Sequence, residues 1–343
     1  MIDALAILGH GAVTAVGLNA AQTCAAIRAG IKRFTPIEAA VLDDDEPQIG
    51  ARVSANPRLR ASEREWLLNL AGRALRECSL APADALLWQV PERHRGHSLS
   101  EAEDGELLAS LAERLGHPLS AHSRVLRSGA AGVVEGLGLA WELIAAGKVE
   151  RCVIGGADSL LRKPDLDRLG AEQRLIAPGR AQALVPGEGA AFVLVGRDPS
   201  GERVRVRGLG LGYEQASVLA GGRSVGDGFL SAFESAIEHA GVPEGEIDFV
   251  VGNYNGERYD AWETSHANAR CYRTRRERLS LMWPAGSTGE LGVAGGALAL
   301  LVAAVALAEG YGPGPTAAVH VRSEDELRGV ALLSSAARSA GSG

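Results

Sequence analysis

The segment Ser123–Leu160 constrains the fold more than any other part of the chain. It opens as a short apolar run and turns sharply through Ser128, Gly129, Ala130 and Ala131. A long helix rich in small residues follows, and Arg151–Ile154 then reads as a second strand that ends at Gly155 and Gly156. The glycines and alanines from Gly129 to Gly138 remove bulk from the first helical turns, which suits a helix buried against its neighbours. In enzymes, a strand entering such a helix often presents a nucleophile at the turn, where helix-terminal N–H groups stabilise developing negative charge. Here the turn carries alanine. The segment predicts an enzyme-type fold whose nucleophile position is empty.

With 343 residues, 46% of them apolar, the chain can bury a large core, expected as two coupled domains, 1–200 and 201–343. The apolar run Val293–Ala308 falls short of a membrane span, is interrupted by Gly295 and Gly296, and runs into Glu309. It predicts a buried helix and no membrane association. The start, MIDALAILGHG, lacks a basic stretch, so a cytoplasmic location is expected. Net charge is −7 and the 35 basic residues are dispersed, which argues against a nucleic-acid partner. Only Arg270–Arg278 is densely basic, and it reads as a solvated loop or a local contact with an acidic partner. Cys24, Cys78, Cys152 and Cys271 lack paired-ligand spacing, and the eight histidines, His94 and His97 included, form no metal motif. The first three cysteines read as reduced core thiols, with no metal or cofactor expected.

Along the chain, Ala4–Leu8 is an apolar strand running into Gly9, His10 and Gly11, read as a tight turn without the glycine spacing of a dinucleotide site. Asn19 caps a helix that Gly30 ends, and Asp43–Glu46 is a solvated acidic run. Ser62 caps a helix with Glu65 at its third position, and Trp66, Leu67 and Leu70 lie on the apolar side. Strand Ala85–Val90 and a helix over Ser100–Leu115 precede the central segment. Downstream come a glycine turn feeding a buried strand within Leu184–Val195, a strand at Val204–Gly208, a helix at Phe229–Ala240, strands at Ile247–Val251 and Ala317–Val321, and a last strand near Val330–Leu333. The order repeats. Trp66–Val90 and Phe229–Val251 both read as helix, turn and strand, while Leu126–Ile154 and Gly286–Val321 both read as glycine turn, buried helix and strand. Two related α/β units are expected, each a mixed sheet covered by helices and packed through the two small-residue helices.

Four segments carry a family resemblance: GHGAVTAVGLNAAQTCAAIRAG, the strand ending VIGGAD, VPGEGAAFVLV and STGELGVAGG. In this order they resemble the beta-ketoacyl synthases of the thiolase superfamily. The resemblance implies an α/β thiolase-like fold, with two duplicated halves in a five-layered α-β-α-β-α arrangement and a dimer built around the central strands. Family members hold an acyl group on a cysteine, while two histidines assist decarboxylation and carbon–carbon bond formation.

Aligning the central unit without a gap places Ala130 at the cysteine. The histidine of the NAHGT-like motif falls on Asn255 within NYNGE, and that of the TGH motif on Glu290 within TGE. A lysine usually five residues before the second histidine corresponds to Ala285. In place of the glycine- and phenylalanine-rich loop before the last strand, the chain has VRSEDELRG. Alanine cannot form the acyl intermediate, and an ionised glutamate repels a developing oxyanion. No catalytic residue is assigned. Ser128 reads as a turn or helix-cap residue, with a serine nucleophile as the competing reading. Asn253 and Asn255 read as loop caps, and Glu290 as a partner for helix-terminal N–H groups or a basic side chain. Trp262 and Trp283 read as core residues, as plugs of an acyl tunnel, or as an interface.

The expected function is a non-catalytic synthase-like partner or scaffold, as a homodimer or as a heterodimer with another thiolase-fold protein. Four alternatives stand beside it: an adaptor or chaperone for a bacterial secretion effector, a chain-length-factor-like subunit, a module binding an acyl chain or acyl carrier, and an enzyme with altered acyl-thioester chemistry. The last would use Ser128, or Asn255 with Glu290 as a water-activating pair.

Overall fold

The computed structural model describes residues 3–37, 48–53, 62–96, 99 and 102–335. Its first half runs β1 (Leu5–Val13), α1 (Ala20–Arg28), the two-residue strands β2 (Thr35–Pro36) and β3 (Ile49–Gly50), α2 (Glu63–Glu77), β4 (Ala85–Gln89), α3 (Asp104–Leu115) and β5 (Arg124–Leu126). It continues with α4 (Gly132–Ala145), β6 (Arg151–Ser159), α5 (Lys163–Ala171) and β7 (Glu188–Gly196). The second half comprises β8 (Arg205–Tyr213), α6 (Asp227–Ala240), β9 (Phe249–Gly252), α7 (Arg258–Cys271), β10 (Ser280–Met282), α8 (Ala285–Thr288), α9 (Ala294–Glu309), β11 (Thr316–Arg322) and β12 (Leu327–Ser334).

The strand order β10-β9-β11-β12-β8-β1-β7-β6-β4-β5 contains one pattern twice. In the first half β4 lies parallel to β5 and β6, and β7 lies antiparallel to β6 and β1. In the second half β9, β10, β11, β12 and β8 repeat those relations. The duplicated order expected from the sequence is therefore present. The expected pair of separate sheets is not, because Leu5 pairs with Val206 and Ala6 with Arg205, joining the halves into one ladder.

Three apolar clusters account for the five layers. One lies between the two half-sheets and is built around α4 and α9. The second packs α2 and α3 on the outer face of the first half, and the third packs α6 and α7 on the outer face of the second. Helix α9 is buried on every side from Gly296 to Leu307, as a helix with no polar face must be. All four cysteines are buried free thiols, Cys271 with the three expected in the core.

Two glycine readings need correction. β1 continues through Gly9 and Gly11, because α2 packs so closely that a Cβ at Gly11 would lie 2.0 Å from the Ala74 carbonyl oxygen. The turn comes later, where Thr14 and Gly17 exchange backbone hydrogen bonds. Likewise β6 does not stop at Gly155 and Gly156 but runs to Ser159, paired with β7 throughout. The helix expected from Ser100 begins at Asp104 among the described residues. Asp43–Glu46, His97 and Ser100 lie outside them.

Candidate functional site

The site forms where the N-termini of α4 and α9 meet the β11–β12 connection. Gly129 supplies the positive φ (67°) that turns the chain from β5 into α4. A Cβ there would sit 2.1 Å from a Glu92 carboxylate oxygen and 2.7 Å from Ser323 Oγ, so only glycine fits. Ser323 Oγ donates to the Ser128 carbonyl (2.5 Å) and accepts from the Ala131 N–H (3.1 Å). A hydroxyl from the opposite half thus holds a helix-terminal donor of the kind that would otherwise face a developing oxyanion. Helix α9 crosses so tightly that a Cβ at Gly296 would lie 2.1 Å from the Ala130 carbonyl oxygen.

Ala130, Asn253, Asn255 and Glu290 line one cavity of about 30 Å³, with Glu92, Arg95, Arg174, Arg322, Ser323 and Glu324 among its other walls. That is room for about one water molecule. The surrounding space is occupied by paired charges. Arg174 grips Glu257 through Nε (2.5 Å) and Nη2 (3.1 Å) and reaches Glu324 through Nη1 (2.7 Å). Arg322 donates to Asp260 (2.9 Å) and Glu257 (3.2 Å). Arg95 joins Asp158 (2.5 Å) and Asp165 (3.1 Å), and Asp158 also accepts the Val293 N–H at the start of α9 (3.0 Å).

Both asparagines act as loop caps. Asn253 pairs through its amide with the backbone N–H and C=O of Arg322 (each 2.9 Å). Asn255 Oδ1 accepts from the Glu257 N–H (3.0 Å), and its Nδ2 donates to the Glu257 carboxylate (2.7 Å). Glu290 accepts the Gly292 N–H (2.9 Å). Each side chain is engaged in holding the wall.

The electrostatics follow from burial and pairing. Burial alone would raise Glu257, but Arg174 and Arg322 more than offset it and hold the carboxyl below its usual range. Glu324 is likewise held well below that range, against burial, by His94, Arg174 and Arg168. Glu290 has no such grip, and burial pushes it up to about 7, with Arg322 opposing. Burial also raises Glu92. Two of the cavity's carboxyls therefore bind protons more readily than a free glutamate.

No protein-family model matches the chain, and no curated protein matches it in sequence. Solved structures do match. The chain is similar to a chain of the complex described as a type II PKS acyl-carrier protein with its ketosynthase bound to the hexaketide, with a TM-score of 0.77 at 14% identity, over 98% of this chain and 100% of that one. It is similar to the ishigamide ketosynthase/chain length factor, with a TM-score of 0.74 at 17% identity, over 98% and 100%. The ketosynthase from module 6 of the bacillaene synthase of Bacillus subtilis 168 matches with a TM-score of 0.76 at 12% identity, over 97% of this chain and 72% of that one. The chain has the fold of these ketosynthase structures.

Within this ketosynthase fold, the cavity gathers four of the eight residues singled out in the sequence: Ala130, Asn253, Asn255 and Glu290. Ala285 opens α8 and does not line it. Ser128 faces a separate depression, where its Oγ donates to Glu135 (2.5 Å). Trp262 and Trp283 are neither core residues nor plugs. They are 44% and 53% exposed and do not line the cavity, whose walls carry ion pairs instead. Sequence reasoning missed Glu92, Arg95, Arg174, Arg322, Ser323 and Glu324. The signal for the last three was VRSEDELRG, noted as the replacement of a glycine-rich loop but not as the filling of the cavity.

Proposed function

We propose that the chain is a non-catalytic ketosynthase-fold subunit that serves as a partner or scaffold for another thiolase-fold protein. In this reading Ala130, Asn255 and Glu290 stand at the positions of the cysteine and two histidines, and Ala285 at that of the lysine. One observation carries it: the space bounded by Ala130, Asn255 and Glu290 holds about one water, because a buried charge network fills the rest. The same network suits a scaffold. Arg174, in the half assigned to 1–200, pairs with Glu257 and Glu324 in the half assigned to 201–343, locking the two together. Similarity to ketosynthase and chain-length-factor structures supports a thiolase-fold partner. Glu290, its carboxyl raised by burial to about 7, has acid–base capacity, but in this reading the small cavity volume disfavours an acyl thioester beside it.

Ala130→Cys tests the closure directly. Incubation with a short acyl thioester is expected to leave the intact mass of the variant unchanged, because the restored thiol faces a filled cavity. An acyl adduct on the introduced thiol, blocked by iodoacetamide, would overturn the reading. Light scattering after co-expression with a catalytic ketosynthase then measures the partnership. A defined heterodimer supports it, and a homodimer that ignores the enzyme refutes it.

A further inference from the structure

The strand β10 ends the ladder of the second half, and on its outer side no described strand follows. Its neighbour β9 satisfies one edge, in parallel register from Ser280–Phe249 to Met282–Val251. The other edge has no strand partner, and its N–H and C=O groups make no further backbone hydrogen bond among the described residues. Exposed edges are commonly blunted by charge or proline within the strand, but β10 reads Ser280, Leu281, Met282. Met282 packs inward against the central cluster. Leu281 and Trp283 alternate with it and remain 37% and 53% exposed. The indole of Trp283 rests over α8, where a Cβ at Gly286 would come within 2.8 Å of its Nε1.

The connection entering β10 holds the chain's densest run of arginines, and they divide into two groups. Arg276 pairs with Glu244 (2.5 Å) and donates to the Ile247 carbonyl (2.8 Å), while Arg270 pairs with Asp227 (2.6 Å). These fasten the segment to the body of the second half. Arg273, Arg275 and Arg278 are exposed and make no ion pair among the described residues, and the one acid between them, Glu277, is also exposed. A chain of net charge −7 thus presents a locally positive strip, held in place, beside an open apolar strand edge.

We propose that β10 is a docking edge for an acidic, extended segment of a partner protein. The segment adds as a further strand, sets an apolar side chain against Leu281 and Trp283, and places carboxylates opposite Arg273, Arg275 and Arg278. Backbone pairing gives such additions their affinity, and the side chains give the selectivity. A single-stranded nucleic acid would meet the arginines and the indole but leave the ladder groups unpaired. This inference does not depend on the state of the cavity at Ala130.

The test is fluorescence anisotropy on the full chain with a labelled peptide of alternating Glu and Val. Two controls accompany it: a Lys–Val peptide, and a Glu–Val peptide N-methylated at every second residue, which keeps the charge and loses the ladder donors. Binding of the Glu–Val peptide alone is expected. Combined Arg273→Glu, Arg275→Glu and Arg278→Glu should weaken it by about tenfold or more, with the circular dichroism unchanged because all three side chains are exposed. Equal binding of the N-methylated peptide, displacement by an equimolar oligothymidylate, or absence of binding would each overturn the proposal.

Discussion

Glu290 shows how one side chain can be held in place without being stabilised in its charged form. Its carboxyl is raised from 4.5 to about 7 by burial, so the folded state binds its proton more tightly than the unfolded chain does. Linkage fixes the sign: this contribution to stability is full below about pH 4.5 and is lost as pH rises through about 7. Glu290→Gln should therefore stabilise the protein by about 1–2 kcal/mol at pH 8 and have little effect at pH 4.5, read from urea midpoints at the two pH values. Arg174 predicts the reverse. Arg174→Met leaves Glu257 and Glu324 buried with less compensation and should cost about 3–5 kcal/mol in the same assay at pH 7. At this scale the sequence was half legible. Ala130, Asn255 and Glu290 could be singled out by their distances from glycine motifs, and the fold brings all three to one cavity. Arg174 lies in a stretch without a motif, and its role arises only when the fold brings it to Glu257 (2.5 Å) and Glu324 (2.7 Å), far along the chain.

Between residues and the whole molecule stand the helices and strands, where glycine governed both the successes and the errors. The small-residue helix was recognised as buried, and α4 lies beside α9 in the central layer, packed against strands of both half-sheets. The glycines in β1 and β6 were misread as strand ends, because a local signal for a turn is identical to a signal for close approach by another backbone. Helix α4 offers a matched comparison. A Cβ at Gly136 would meet Ile154 Cγ2 at 2.8 Å and Gln89 Nε2 at 3.0 Å, whereas one at Gly138 would meet nothing within 4 Å. Gly136→Ala should cost about 1–3 kcal/mol through overpacking. Gly138→Ala should add about 0.5–1 kcal/mol through helix propensity, and thermal melts of the two variants distinguish these outcomes.

For the whole molecule, the duplicated order was legible because each half repeats the same alternation of helix, glycine turn and strand. The junction was not, since Leu5–Val206 and Ala6–Arg205 pair residues about two hundred positions apart with no local signature. The Arg174 bridge to Glu257 and Glu324 spans the halves as well. A single calorimetric transition is expected, with a calorimetric to van't Hoff enthalpy ratio of about one, and Arg174→Met should raise that ratio as the halves uncouple.

The ten-strand ladder has two termini, β5 and β10, and the internal repeat makes them counterparts of each other. A molecule able to join one terminus to the opposite terminus of its neighbour would polymerise into an open thread. Here the counterparts are dressed differently, Arg124 and Val125 at one and Leu281 with Trp283 at the other. The two ends of the ladder therefore present different surfaces to a neighbouring chain.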